Sequence, residues 1–360
     1  MNNVCIILPY FGTFPTWVDV FLMSCRKNVT IDFHIITDVQ REEKESPNIV
    51  FHYITFKEMQ QRVRERLKAV LPSAYKLCDY KPCYGYLFDE LIQGFEYWGY
   101  CDMDTVLGDV RSFLEKLHYQ QYDRLFQHGH FTLYRNNEEI NTLFRKPVPK
   151  GLPPMIHFDS VRKTSYCMHY DEVGMNLLSS YYDLKFCKEE VSFDVSYFYE
   201  PFRLSTMPNE MLCLTVYDRG HIITYTLEKN TIQSFESMYI HFQKRKMNSL
   251  KTATDYFAIT EQGFIPLERK AVTIETIQEH VPLMPKRLNT PIFETGKQSN
   301  INKALNILKK ELPVRGIMSL MTIKNIVHNN LWISRQGGDE LYAKSLWLNG
   351  TKKFTDHKQS

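Results

Sequence analysis

The 360-residue sequence lacks the motifs and long apolar runs that mark several large classes of protein. It contains neither GxGxxG nor GxxxxGK followed by Ser or Thr, the glycine-rich loops that cradle dinucleotides and nucleoside triphosphates. A dinucleotide dehydrogenase or a P-loop NTPase is therefore not expected. No stretch reaches the roughly 18 consecutive apolar residues that a membrane-spanning helix needs. The N-terminus, Met1-Asn2-Asn3 and a short apolar run, also lacks the layout of a signal peptide.

Charge and cysteine content exclude two further classes. Lys plus Arg total 44 and Asp plus Glu total 41, a net charge of +3, so no overall basic excess points to nucleic acid. The eight cysteines form no CxxC pair, and in a chain of this length we interpret them as buried thiols rather than disulfides or a zinc site. We therefore expect a cytoplasmic protein that does not bind nucleic acid.

Apolar runs alternate with amphipathic segments over the first hundred residues. This alternation predicts an α/β fold with a mixed, mainly parallel sheet flanked by helices. A run that is apolar on both faces is typical of a buried parallel strand. The predicted strands are 3–9, 31–37, 49–55, 221–226 and 234–242, and the predicted helices are 16–25, 57–71, 136–145 and 171–180.

The composition changes towards the C-terminus, where prolines become frequent and aromatic residues scarce. We place a boundary near residues 270 to 285 and assign one domain to 1–270 and a basic, partly helical extension to 271–360. About 270 residues suffice for one large catalytic domain.

The most informative stretch is YWGYCDMDTVLGD at 97–109, an aromatic, strand-like run that ends in two aspartates. Asp102 and Asp104, separated by one residue at a strand end, can face the same cleft. There they can hold a hard divalent cation that also takes diphosphate oxygens. An isolated pair of this kind usually caps a helix or closes a turn. The position after a Trp- and Tyr-rich strand in an α/β unit favours the metal interpretation.

A lysine and an aspartate lie in the segment before the acidic strand. Lys81 precedes a proline, which favours an extended backbone, and Asp79 is two residues upstream. We interpret them as contacts to the diphosphate or to sugar hydroxyls of a bound donor. The alternative is a surface loop with a solvated lysine.

A histidine followed by three cations lies at the end of a predicted strand, in YIHFQKRKM at 239–247. His241 can supply a third metal ligand, and Lys244 and Arg245 can balance the charge of a diphosphate. The alternative is a charged turn beside a core histidine.

Two segments are candidates for the sugar and acceptor side of the site. In QHGHFTLYRN at 127–136, His130 can bond hydroxyls of the donor sugar, although a structural strand fits this pattern equally well. Asp171 and Glu172 lie where a predicted helix starts. If the reaction inverts the anomeric centre, one of them is the candidate general base; otherwise they are N-terminal charges that favour the helix dipole.

Four runs, YKPCYG, FEYWGYCDMDTVLGDVRSFL, QHGHFTLYRN and YIHFQKRKM, occur in an order that resembles a bacterial family of glycosyltransferases associated with surface-polysaccharide gene clusters. The resemblance covers about residues 1 to 250. It implies a GT-A fold, a nucleotide-sugar donor and Mn²⁺ or Mg²⁺. By this likeness Asp102 and Asp104 match the DxD motif, and His241 matches the C-terminal metal-binding histidine. The HxxGxxKPW motif of better-known GT-A families is absent, so His241 has a different sequence context.

The C-terminal extension combines basic residues with a helical apolar face. Between residues 286 and 324 there are eight basic and two acidic residues, and Ile301, Leu305, Leu308 and Leu312 share one face of a predicted helix. Such a segment can lie on an anionic membrane, where lipid-linked glycan acceptors reside. We predict a peripheral contact through 286–327 on the inner face of the membrane. The alternative is a helix packed on the catalytic domain.

The functional hypothesis is a metal-dependent glycosyltransferase that moves a sugar from a nucleotide-diphosphate donor to a hydroxyl of a bacterial surface glycan. The acceptor would be a glycan or a lipid-linked glycan. A metal-dependent phosphohydrolase or nucleotidyltransferase also uses acidic residues and a divalent ion, and a non-catalytic carbohydrate-binding protein would account for the aromatic residues. The sequence does not distinguish retention from inversion.

Overall fold

The computed structural model describes residues 3–41, 46–148, 154–196, 199–204, 207, 211–243, 245–250 and 254–281. Within them the chain forms a mixed α/β fold with three sheets. The strands are β1 Val4–Pro9, β2 Ile31–Thr37, β3 Ile49–Tyr53, β4 Tyr97–Cys101, β5 Thr105–Leu107, β6 Arg124–Leu125, β7 Phe131–Arg135, β8 Phe186–Cys187, β9 Ser192–Asp194, β10 Leu212–Asp218, β11 His221–Glu228, β12 Thr231–Ser237, β13 Tyr239–His241, β14 Tyr256–Thr260 and β15 Gly263–Pro266.

The helices are short except for two. The α-helices are α1 Val18–Lys27, α2 Phe56–Leu67, α3 Tyr84–Leu87, α4 Val110–Lys116, α5 Glu138–Asn141, α6 Phe158–Val161, α7 Met175–Tyr181 and α8 Ile274–His280. The 3₁₀ segments are Ala74–Cys83, Tyr119–Gln121, Leu143–Arg145 and Pro154–Ile156, and Tyr170–Gly174 is a π-helical turn. In the part of the chain described, no helix is long and apolar enough to span a bilayer.

The largest sheet has the strand order β3-β2-β1-β4-β7-β6-β8. Its first four strands are parallel, and β7 runs antiparallel to β4. Both faces of β1 are buried, which explains why its sequence is a continuous apolar run. Cys5 and Ile7 join the hydrophobic cluster on one face, whereas Val4, Ile6 and Leu8 join the cluster on the other. The predicted α/β fold with a mixed sheet is thus confirmed, and its strands β3, β2, β1 and β4 are parallel.

Two smaller sheets complete the described fold. An antiparallel sheet has the order β12-β11-β10-β14-β15, and a three-stranded sheet has the order β5-β13-β9. Helix α8 packs on the antiparallel sheet through Ile277, which is fully buried in a cluster with Leu214 and Val216. The first part of the predicted extension 271–360 therefore belongs to this packed unit, while residues 282–360 lie outside the described residues.

Several predicted elements differ from the observed ones at their ends. The helix expected at 57–71 begins at Phe56 behind a capping box of Thr55 and Glu58, and it ends at Leu67 because Lys68 turns left-handed with φ 52°. The helix expected at 136–145 is α5 followed by a 3₁₀ turn. The strand expected at 234–242 is two strands, because β12 pairs with β11 whereas β13 pairs with β5 and β9 in another sheet.

Close packing at Gly99 fixes the spacing between β4 and β7. A Cβ atom there would lie 2.3 Å from the carbonyl oxygen of Thr132 and 2.5 Å from Cδ2 of Leu133. The neighbouring Trp98 stacks on Tyr134 with ring centroids 4.8 Å apart. The strand β4, which leads into the acidic motif, therefore packs so closely on β7 that only glycine fits at position 99.

We expect Gly99→Ala to lower the free energy of unfolding by about 1–3 kcal/mol, because a backbone carbonyl rather than a flexible side chain must move. Urea unfolding measures the change. Ser234→Ala, at an exposed site of β12, is the matched control and is expected to change stability by at most about 0.5 kcal/mol. Equal stability of the two variants would contradict the packing argument.

Candidate metal centre

The three predicted metal ligands come together at the end of β4. Asp102 and Asp104 follow this strand, and β13 pairs antiparallel with β5, so that His241 lies opposite Thr105. One ligand atom from each of Asp102, Asp104 and His241 lies within 4.8 Å of the others. Nε2 of His241 is 3.4 Å from Oδ1 of Asp104. Strand pairing has thus brought together residues more than 130 positions apart in the sequence.

Hydrogen bonds to the backbone carbonyls of residues 102 to 104 fix the acidic turn. The indole of Trp17 donates to the carbonyl of Met103 at 3.1 Å, and the Thr105 hydroxyl donates to the carbonyl of Asp102 at 2.7 Å. The amide of Phe242 donates to the carbonyl of Asp104 at 3.1 Å, which ties the turn to the segment after β13. The carboxylates are therefore presented by a rigid turn between β4 and β5.

A second group of ligand-type side chains shares His241. Ligand atoms of His130, Asp194 and His241 also lie within 4.8 Å of one another. His130 is buried, and its ring stacks on that of His241 with centroids 4.2 Å apart. Nδ1 of His130 is 2.8 Å from the Tyr239 hydroxyl, and Nε2 has no hydrogen-bond partner among the described residues. His130, predicted to bond sugar hydroxyls, directly precedes β7 and lies beside Tyr239 and His241 of β13.

Asp194 was not singled out from the sequence. It ends β9, which pairs in parallel with β13, so that Asp194 lies beside His241 in register. Oδ1 of Asp194 is 2.7 Å from Nδ1 of His241. The only sequence signal is an aspartate after the short alternating segment Val191-Ser192-Phe193, and its partner His241 is 47 residues away.

The donor set fits a divalent cation. Carboxylate oxygens and imidazole nitrogens together are typical ligands of Mn²⁺ and related ions, with Mg²⁺ preferring the oxygens. An ion at this position accounts for the convergence of Asp102, Asp104 and His241. The buried Nε2 of His130, which lacks a hydrogen-bond partner among the described residues, belongs to the neighbouring group with Asp194 and His241. We conclude that these residues can hold a metal.

The electrostatics of the centre favour added positive charge. Burial lowers the pKa of His241, but the charges and hydrogen bonds of Asp104 and Asp194 outweigh it and raise that pKa well above its usual range. Burial raises the pKa of Asp102, against the opposing charge of Lys81. Burial and the nearby cations His241, His128 and Lys81 hold the pKa of His130 well below its usual value. A neutral imidazole of this kind is ready to act as a ligand.

Lys81 is placed differently from the prediction. It was expected in an extended loop, but it lies within the 3₁₀ segment Ala74–Cys83, and its side chain is only 8% exposed, which excludes the alternative of a solvated surface lysine. Its Nζ lies 2.6 Å from Oδ1 of Asp102, 2.8 Å from the carbonyl of Gly129 and 3.5 Å from Oδ2 of Asp171. The tertiary fold overrides the local effect of Pro82 because a buried ammonium needs these oxygen partners. Lys81 therefore positions Asp102.

Asp79, predicted to contact the donor, is enclosed by other partners within the fold. Its side chain is fully buried, 2.6 Å from Nζ of Lys76, which is equally buried. The amides of Met168 and Tyr170 also donate to its carboxylate at distances from 2.8 to 3.0 Å. Asp79 is thus a structural carboxylate that joins the 3₁₀ segment to residues 168–170.

Arg245, predicted to bind the diphosphate, is also held by partners within the fold. Arg245 is buried, and its guanidinium donates to the carbonyls of Ser196, Tyr199 and Glu200. Burial lowers its pKa to about 10. Its guanidinium is therefore hydrogen-bonded to the backbone of residues that follow β9. Lys244 lies outside the described residues.

The predicted acceptor-side residues lie on the π-helical turn. Oε1 of Glu172 accepts the amide N–H of Gly129 at 2.8 Å. Only glycine allows this approach, because a Cβ atom at position 129 would lie 2.4 Å from Oδ2 of Asp171. Burial raises the pKa of Asp171 to about 8. For Glu172 burial also raises the pKa, but the charge of His128 and the Gly129 N–H outweigh it and leave the value lowered.

Comparison with known proteins identifies the family. A model described as a family of unknown function, DUF6625, matches residues 6–268, so the chain belongs to this family. Neither the curated proteins nor the solved structures contain a match to the chain. The match ends close to the predicted domain boundary and includes every ligand-type residue of the metal centre.

We expect Asp79→Asn to lower the free energy of unfolding by about 3–5 kcal/mol, since it removes the carboxylate that balances the charge of the buried Lys76 ammonium. Urea unfolding tests this. Asp89→Asn, which removes an exposed ion pair with Arg66, is the control and should cost at most about 1 kcal/mol. Mn²⁺ affinity should be unchanged in folded Asp79→Asn. A selective loss of metal or donor binding without loss of stability would contradict the structural role.

Proposed function

We propose that this member of DUF6625 is a metal-dependent glycosyltransferase that moves a sugar from a nucleotide-diphosphate donor to a hydroxyl of a bacterial surface glycan, such as a capsule or lipopolysaccharide. The observation that carries the proposal is the convergence of Asp102, Asp104 and His241 at the carboxyl end of a central parallel strand. This arrangement matches the DxD motif and the C-terminal histidine that the sequence resemblance implies.

The layout of the large sheet supports a GT-A-like assignment. The order β3-β2-β1-β4, all parallel, is that of the first four strands across a doubly wound nucleotide-binding sheet. In such sheets the ligand binds outside the carboxyl ends of the strands, where the strand order reverses, which here lies between β1 and β4. The acidic turn after β4 borders that crevice. The proposed donor therefore lies between the turn after β1 and the metal centre.

Mn²⁺ or Mg²⁺ held by Asp102, Asp104 and His241 would supply charge neutralisation for the departing nucleoside diphosphate. The protein's own residues prepare this position. The turn between β4 and β5 holds the two carboxylates, and the Lys81 ammonium fixes Asp102. His130 closes the buried side of the centre by stacking on His241.

Asp171 is the better of the two candidate bases on the acceptor side. A general base works best when its pKa is near the operating pH, and burial raises the pKa of Asp171 to about 8. Glu172 is held by the Gly129 amide, and its pKa is lowered. In an inverting reaction Asp171 would take the proton of the acceptor hydroxyl. A retaining reaction needs no such base.

Sugar transfer tests the proposal. A thermal-shift screen of nucleotide sugars with Mn²⁺ identifies the donor, because a ligand that binds the folded state raises the melting temperature. Transfer from that donor, or its slow hydrolysis, is then measured for Asp102→Asn and Asp104→Asn. We expect a loss of about 100-fold or more in rate, as for removal of a group that stabilises charge in the transition state.

Asp218→Asn is the control for this experiment, since Asp218 pairs with Arg219 and Arg269 on the antiparallel sheet. Its rate should equal that of the wild-type protein. Undiminished transfer by the Asp104→Asn protein would exclude the proposed centre. Hydrolysis of simple phosphoesters with no dependence on a nucleotide sugar would favour the phosphohydrolase instead.

The proposed acceptor is a glycan or lipid-linked glycan at the inner face of the membrane, reached from the cytoplasm. Residues 286–327, the predicted membrane contact, lie outside the described residues. We expect the full-length chain to float with vesicles that contain anionic lipid, and a chain ending at residue 281 to lose most of this binding, because a basic segment is attracted to the anionic surface. Equal flotation of the two chains would remove the membrane contact.

A further inference from the structure

We propose that Asp194 is a positioning residue that orients the His241 imidazole for metal binding, with Gln243 fixing Asp194 in turn. This inference rests on the metal centre of the proposed function. Strand register makes the arrangement possible, because β9 and β13 run parallel and place Asp194 beside His241. The amide of Val195 donates to the carbonyl of His241 at 2.9 Å and holds the two strand ends together.

The contact with Asp194 selects the tautomer of His241. Oδ1 of Asp194 lies 2.7 Å from Nδ1 of His241, and a carboxylate can only accept a hydrogen bond. Nδ1 therefore carries a proton, and Nε2 is the ring nitrogen that would bind a metal. Nε2 is the nitrogen that faces Oδ1 of Asp104, at 3.4 Å. Metal-binding histidines generally donate their other ring N–H to a carboxylate or carbonyl, which fixes the ring and raises its basicity.

Gln243 holds the carboxylate from the other side. Its Nε2 lies 2.8 Å from both Oδ1 and Oδ2 of Asp194. The backbone of Gln243 is left-handed, with φ 41°, a conformation that is uncommon for a residue other than glycine. This turn brings the side chain back towards Asp194. Asp194 lies on β9, two strands across the sheet from β5, which follows the acidic turn. A strained backbone that serves a polar contact is typical of a functional site.

Direct ligation of a second ion by Asp194 is the competing arrangement. Nε2 of His130 lies 3.8 Å from Oδ1 of Asp194, so His130, Asp194 and His241 form a ligand-type group. In the present geometry, however, Oδ1 of Asp194 accepts from both His241 and Gln243, and Oδ2 accepts from Gln243. His241 cannot use Nδ1 for an ion while it donates to Asp194. The two arrangements predict different metal stoichiometries.

Positioning of an imidazole predicts a metal-selective effect. An imidazole ligand adds more to the affinity for Mn²⁺ than for Mg²⁺, which prefers oxygen ligands and retains its water. Loss of the Asp194 contact should therefore weaken Mn²⁺ binding and leave Mg²⁺ binding to the carboxylates nearly unchanged. A purely structural role would weaken the binding of both ions together.

Calorimetric titration of the full-length chain with Mn²⁺ alone and with Mg²⁺ alone tests the proposal. We expect Asp194→Asn to weaken Mn²⁺ binding by about 10- to 100-fold, and Mg²⁺ binding by no more than about twofold. Gln243→Asn, which tolerates the left-handed backbone but is too short to reach both oxygens, should weaken Mn²⁺ binding less but with the same selectivity. Asp218→Asn is the matched control, because its side chain is 25% exposed against 23% for Asp194.

Each outcome decides the question. One Mn²⁺ per chain, with a Mn²⁺-selective loss in Asp194→Asn and an unchanged Asp218→Asn, supports the proposal. Wild-type Mn²⁺ affinity in Asp194→Asn overturns it, as does an equal loss for both ions. Two Mn²⁺ per chain, reduced to one in Asp194→Asn, would make Asp194 a ligand instead. If Asp194→Asn does not fold, Gln243→Asn decides by the same criteria. Absence of metal binding by the wild-type chain would refute the metal centre itself, and the proposed function with it.

Discussion

The pairing of β13 between β5 and β9 is the constraint on which the metal centre depends. These three short strands have few hydrogen bonds of their own, yet they set the positions of Asp104, His241 and Asp194. The central strand is anchored by its apolar residues, since Tyr239 and Ile240 are almost fully buried in two different clusters. Burial of these two side chains thus fixes the position of His241, the polar residue at the end of β13.

A second constraint is the burial of charge next to the centre. Two lysines from the same 3₁₀ segment, Lys76 and Lys81, are almost inaccessible to solvent, and each has a carboxylate 2.6 Å away. Burying ions is costly unless the partners are well placed, so the segment, the acidic turn and residues 168–171 must adopt mutually compatible positions. Lys81 links Asp102 of the candidate metal centre electrostatically to Asp171, the proposed general base.

Much of the centre was predictable where the signal was local. Asp102 and Asp104 follow an apolar, aromatic strand, and a strand end of an α/β sheet is where ligands bind, so their location follows from the pattern alone. His241 was predictable for the same reason. The burial of Asp79 and Arg245 was not predictable, because their partners are distant in sequence. The amides that bind Asp79 are 89 and 91 residues away, and two of the carbonyls that bind Arg245 are 46 and 49 residues away.

The sequence by itself determined the alternation of strands and helices, the continuous apolar β1 with both faces buried, and the acidic end of β4. These features depend on side-chain periodicity and on residues within a few positions of each other. Only the tertiary structure decided which charged residues are buried, that His130 lies against His241, and that Asp194 adjoins both. Those outcomes depend on the register between strands distant in the chain, and register is set by packing of the whole core rather than by any local pattern.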